Sequence, residues 1–137
     1  MQEKLLYEYA VIRVMPDVER GELLNIGLLM MCKRRRWIKA AVELDTARLL
    51  ALWPSADVDA ILRQTASFTG VAHGLPQAGP LAALLPEERF RWLTAARSAC
   101  LRTSRPHPGL TADLDATFTA LLDRLCLLYT SPSPRDL

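Results

Sequence analysis

The stretch VERGELLNIGLLMMC, residues 18–32, decides how the chain is read. Four charged or small residues, Glu19, Arg20, Gly21 and Glu22, stand directly before a run that is almost wholly apolar. An uninterrupted run of this length, too short to span a bilayer and broken by Asn25 and Gly27, fits a strand covered on both faces. Its polar prelude fits a turn, with Gly21 at a position of positive φ.

Working backwards, Leu6–Met15 is rich in Tyr, Val and Ile, with only Glu8 and Arg13 polar, and fits a first strand of the same kind. Pro16 and Asp17 end it. With the connecting loop centred on Glu19, residues whose numbers sum to 38 oppose each other across the hairpin. Arg13 then faces Asn25, Val11 faces Gly27 and Tyr9 faces Leu29. Working forwards, the basic run at residues 33–36 is the next turn and Trp37–Leu44 a third strand, which makes an antiparallel meander.

Beyond residue 44 the apolar period lengthens. Asp45 caps a short helix carrying Leu49, Leu50, Leu52 and Trp53, which Pro54 stops. Ser55 is placed to cap a second helix, with Val58, Ile61, Leu62, Thr65 and Phe68 along one face. Residues 70–80, with three Gly and two Pro, read as a loop. Pro86 suits the first position of a third helix, with Glu87 and Glu88 at its positive end and Phe90 and Leu93 inward. Ser98–Ser104 is a short fourth strand, Arg105–Gly109 a loop, and Thr111 the cap of a last helix with Leu114, Phe118, Leu121, Leu122 and Leu125 in a stripe. The expectation is α+β: a single domain over residues 1–125, with an antiparallel three- to four-stranded sheet covered by helices.

Bulk properties narrow the function classes. The chain has 137 residues, half of them hydrophobic and 23% charged, which suits one globular domain. Its net charge of +2 is too small to argue for nucleic acid. Glu3, Glu8 and Arg13 interrupt any apolar leader core, and no stretch is long enough for a membrane span, so a cytoplasmic protein is expected. Three cysteines without CxxC spacing argue against a disulfide framework or a zinc site. Cys32 and Cys100 read as buried apolar residues. No metal or cofactor signature is present. The end of the chain, Cys126–Leu137 (CLLYTSPSPRDL), carries no helical period. It resembles a translated sequencing-adapter read-through, so residues 126–137 are expected to be a non-native or disordered tail.

The hairpin holds the candidate site. Arg13, Arg20 and Asn25 supply hydrogen-bond donors and charge, Glu19 and Glu22 carboxylates, and Gly27 room for close approach. The same residues also fit a structural staple in which Arg13 is paired by Glu19 or Glu22. His107, held between two prolines in SRPHPG, could act as a general base beside Glu19 or Glu22 in a small hydrolase or nuclease-like enzyme, provided the three share one pocket. Arg97 lies just before a strand and could point the same way. His73 is a weaker candidate. The turn Lys33, Arg34, Arg35 and Arg36 admits nucleic-acid binding, but without interleaved aromatics it fits a solvated tip better.

YEYAVIRVMPDVERGELLNIGLLMMC, with its R-x-x-P and E-R-x-E-x-x-N-x-G segments, resembles the opening of the bacterial domain-of-unknown-function family 3037. RFRWLTAARS and SRPHPGL are similar to that family's second block, so the resemblance spans roughly Leu6 to Leu125. It implies that Arg13, Pro16, Glu19, Arg20, Glu22, Asn25, Gly27, Arg97, His107 and Gly109 match the family pattern, and Ala96 departs from it. It also implies a possible protein partner, a HipA-type kinase encoded nearby. The reading that follows is a binding module built on the hairpin.

Overall fold

The computed structural model describes residues 3–15, 19, 21–95 and 100–127. Strand β1 (Leu5–Val14) is the centre of an antiparallel sheet. On one side it pairs with β2 (Leu24–Cys32), which pairs with β3 (Trp37–Val42). On the other side lie two short strands, β4 (Leu101–Thr103) against Ile12–Val14 and β5 (His107–Thr111) against Leu5–Tyr9. Ser104 joins them. Its amide donates to the Val11 carbonyl at 2.8 Å, and its hydroxyl accepts from the Val11 amide at 2.9 Å. The sheet therefore has five strands where three to four were expected, and β4 and β5 act as one kinked edge.

Helices α1 (Thr46–Leu52), α2 (Val58–Ala72) and α3 (Pro86–Ala95) cover one face, where Ile12, Val14, Ile26 and Leu29 meet Leu49, Trp53, Ile61, Phe68 and Phe90. Helix α4 (Leu114–Leu122) and the π turn Asp123–Leu127 cover the other, where Tyr7, Leu28 and Met30 meet Phe118 and Leu121. Both faces of β1 and β2 are buried because their sequences are apolar at odd and even positions alike. The α+β class read from the sequence is the class of the fold. Among the described residues, no helix is long and apolar enough to cross a membrane.

Several local expectations are corrected. The hairpin register matches at Arg13↔Asn25, but Val11 opposes Leu28 rather than Gly27, and Tyr9 opposes Met30 rather than Leu29. A β-bulge between Ile12 and Arg13 makes Ile26 the extra residue, which shifts all later pairs by one. Helix α2 is capped by Asp57, not Ser55, because residues 53–56 are already closed into a turn by the Ala56 amide on the Trp53 carbonyl. Asp113, not Thr111, caps α4, since Thr111 is still the last residue of β5. In both caps the Asp carboxylate accepts an amide hydrogen bond at 3.0 Å.

The expected loop at 70–80 holds more structure. Helix α2 runs to Ala72 and closes in a Schellman motif, with the Leu75 amide on the Gly70 carbonyl and the Gly74 amide on the Val71 carbonyl. Gly74 has φ +71°, which L side chains rarely adopt. Two 3₁₀ turns, each opened by a proline, follow at Pro76–Ala78 and Pro80–Ala83. His107–Gly109 is strand rather than loop, and Pro108 is tolerated within it because β5 is an edge. The backbone of Cys126 and Leu127 continues the π turn; the rest of the proposed tail lies outside the described residues. So do Pro16, Asp17, Arg20, Ala96, Arg97 and Ser98.

Candidate functional site

The bulge determines what the hairpin presents. With Ile26 as the extra residue, Ile26 and Gly27 both fall on the side of α1–α3. Asn25 is turned to the side of α4, opposite Arg13. The Arg13 Nε donates to Asn25 Oδ1 at 3.1 Å, and Asn25 Nδ2 donates to the Leu125 carbonyl at 3.2 Å. A carboxamide suits this position because it accepts and donates at once, so it joins a guanidinium to a backbone carbonyl. The end of a helical segment leaves carbonyls without an intrahelical partner, and Asn25 satisfies one of them. The hairpin base and the π turn are thereby tied together across 100 residues of sequence.

On the other side of β1, Arg13 stands directly opposite Arg102 of β4. Like charges facing each other across strands repel. Arg102 is half-buried, and its Nε is shielded from solvent with no hydrogen-bond acceptor among the described residues. A buried donor left in that state costs about 1–3 kcal/mol. Arg102 also borders a surface-open pocket of about 260 Å³ between α2, α3, β4 and the turn at Pro80–Ala83. Phe68, Val71, Leu81, Leu93 and Leu101 make most of the pocket wall, with Gln64 and Ser67 as its other polar members. Cys100 flanks it: the thiol donates to Gln64 Oε1 at 3.3 Å, and burial pushes its pKa up despite that hydrogen bond.

The other candidates lie elsewhere. Glu19 and Glu22 are exposed in the hairpin loop, past the Val14–Leu24 pair. The room left by Gly27 is filled from within, because a Cβ there would overlap the Ala41 carbonyl oxygen of β3. His107 is exposed opposite Tyr9, with ring centroids 5.2 Å apart. Tyr9 precedes Arg13 by four residues on β1, about 13 Å at the usual strand rise. The hairpin carboxylates follow Leu24 backwards into the loop, farther along the same direction. The register does not bring His107 to a common point with Glu19 and Glu22.

His73 closes the end of α2, and its Nε2 accepts the Ala40 amide of edge strand β3 at 3.2 Å. That caps an edge donor, a structural task. In the basic turn, Arg34 and Arg35 share Glu3, and Lys33 reaches Glu87 at 3.7 Å. These pairs are largely solvated and dilute the turn's positive field. No group of three metal-ligating side chains occurs among the described residues.

Arg102 and the cavity escaped the sequence reading. A strand at residues 98–104 was legible, but its partner was not, and the cavity wall is drawn from elements separated by loops. No local pattern carries either.

No curated protein and no solved structure matches the chain. A family model described as "Protein of unknown function (DUF3037)" matches residues 9–126, which include the hairpin motif, β4, β5 and α4, and the chain belongs to that family.

Proposed function

We propose that this protein is a binding module that takes an oxyanion, a carboxylate or phosphate carried by a small molecule or a partner protein, at the Arg13–Arg102 pair. The single observation that carries the reading is the juxtaposition of two arginines in direct register, one with a buried Nε that lacks an acceptor. An anion seated there removes both the like-charge repulsion and the unmet donor, and the planar guanidinium offers two parallel N–H bonds to it. Arg13 is held in place by Asn25, so its Nε is committed and its orientation is defined before a ligand arrives. The separation of His107 from the hairpin carboxylates supports binding over acid–base catalysis.

Thermal denaturation in phosphate and in chloride at matched ionic strength tests the reading. The melting temperature of the wild type is expected to rise with phosphate concentration, as ligand linkage requires. Arg102→Met keeps the apolar stem and removes the charge. It is expected to abolish the phosphate effect while melting no lower than the wild type in chloride. A phosphate response that persists unchanged in Arg102→Met, or is missing from the wild type, overturns the proposal.

A further inference from the structure

Tyr9 and His107 form a pair of rings on the same face of the sheet as Arg13 and Arg102. Side chains alternate along a strand, so Tyr7, Tyr9, Val11 and Arg13 of β1 share the α4 side, while Ile12 and Val14 meet α1–α3. Across the edge, the register sets His107 of β5 beside Tyr9 and Arg102 of β4 beside Arg13. The Tyr9 and His107 rings lie 5.2 Å apart, tilted by 33°, and the Tyr7 ring continues the row 6.3 Å from Tyr9. A Cβ at Gly109 would overlap the Tyr7 ring and hydroxyl, so the glycine lets this row lean toward the β5 edge. Helix α4 reaches toward the opposite half of the face, where Asp115 pairs with Lys39 of β3 at 3.3 Å and Phe118 meets Trp37 edge-on. On the β4–β5 half, His107 is exposed, and Tyr9, Arg13 and Arg102 are half-buried.

A bare inorganic anion would use the arginines and leave the rings without a role. Accessible rings and guanidinium groups on one sheet face are the parts of a nucleotide site, in which a base stacks and phosphates are held by charge. Tyr9 and Arg13 stand about 13 Å apart along β1 at the usual strand rise, so a sugar and more than one phosphate are needed to span them. Resting on the anion-binding reading above, we infer that the ligand is a nucleoside polyphosphate, with its base on the Tyr9–His107 rings and its terminal phosphates on Arg13 and Arg102. The chain's net charge of +2 favours a single nucleotide over a long strand.

Calorimetric titration of the full chain with ATP, AMP and tripolyphosphate, in the presence of EDTA, separates ring from charge. ATP is expected to bind tighter than AMP, and tighter than tripolyphosphate by roughly fivefold to a hundredfold, the usual worth of one stacked base. His107→Ala is expected to remove most of the advantage over tripolyphosphate, while tripolyphosphate binding and the melting temperature stay near the wild type. His107→Phe restores a ring without a charge and should recover ATP binding. Arg102→Met should weaken ATP and tripolyphosphate by a similar factor.

If ATP and tripolyphosphate bind equally, both through Arg102, the base assignment is wrong and the anion site stands. Loss of tripolyphosphate binding in His107→Ala also overturns the inference, since His107 would then act as a charge rather than a platform. A single-stranded oligo-dA that binds where ATP does not overturns the choice of a single nucleotide. Should none of these polyanions bind the wild type, or should Arg102→Met change nothing, the anion site falls and this inference with it.

Discussion

Gly27→Ala separates a structural glycine from a ligand-admitting one. The added Cβ would overlap the Ala41 carbonyl oxygen and come to 3.0 Å from Val42 Cα and 3.1 Å from Val42 Cγ2. Two of these three neighbours are backbone of β3, so no side-chain rotation relieves them. Strand β3 must instead move away from β2 near the Gly27↔Val42 pair. Losing one or two ladder hydrogen bonds costs about 0.5–1.5 kcal/mol each, and overpacking of a well-packed interior adds about 1–3 kcal/mol. A destabilisation of about 2–6 kcal/mol follows, which at this chain length lowers the melting temperature by roughly 10 °C or more. The assay is thermal and urea denaturation followed by circular dichroism. Gly21→Ala serves as the comparison: its φ is +70° but nothing lies within 4 Å, so only conformational strain of about 1 kcal/mol applies. If Gly27→Ala melts within a degree or two of the wild type, the assignment of its free space to β3 is refuted. The ligand-access reading of Gly27 regains its ground if oxyanion binding is lost at the same time.

Asn25→Ala removes both bonds of the clamp and is expected to cost about 1–3 kcal/mol. Amide hydrogen exchange should then accelerate in residues 123–127 more than in α1; equal protection throughout would show that Asn25 does not hold the π turn. Gly74→Ala combines a φ of +71° with a Cβ 2.6 Å from an Arg89 guanidinium nitrogen that donates to the Ala72 carbonyl at 3.0 Å. A loss of about 1–3 kcal/mol is expected, and Arg89→Ala should reduce that penalty in a double-mutant cycle. Burial raises the Cys100 pKa, so the folded state keeps the thiol proton to higher pH than the unfolded chain does. The associated stability is fully present below the unfolded thiol value, near 8.5, and is lost as pH rises through the folded value. Urea midpoints measured across that alkaline window should fall in the wild type and fall less in Cys100→Ala; parallel curves would refute the shift.

The legible parts of this fold are those written in short-range chemistry. Apolar residues at odd and even positions alike of Ile26–Cys32 announce a strand buried on both faces, and one stripe through Phe118 and Leu121 announces a helix buried on one. Asp45 was readable as a cap because a cap acts within three residues. Asp57 and Asp113 were misplaced by two residues each, since both Ser55 and Thr111 offer the same local chemistry. Only the turn at 53–56 and the reach of β5 choose between them.

The site divides along the same line. That Arg13 opposes Asn25 follows from centring a hairpin on its polar turn, and the sequence alone determined it. The sequence likewise determined the α+β class, through the change from uninterrupted apolar runs to helical stripes. What only the tertiary structure decided is what surrounds that pair: Ile26 as the extra residue of a bulge, the Leu125 carbonyl on Asn25, Arg102 beside Arg13, and β3 in the space of Gly27. The physical reason is that strand partners and cavity walls are selected by packing between distant segments. Periodicity and capping record how each segment meets solvent, and leave open which other segment it meets.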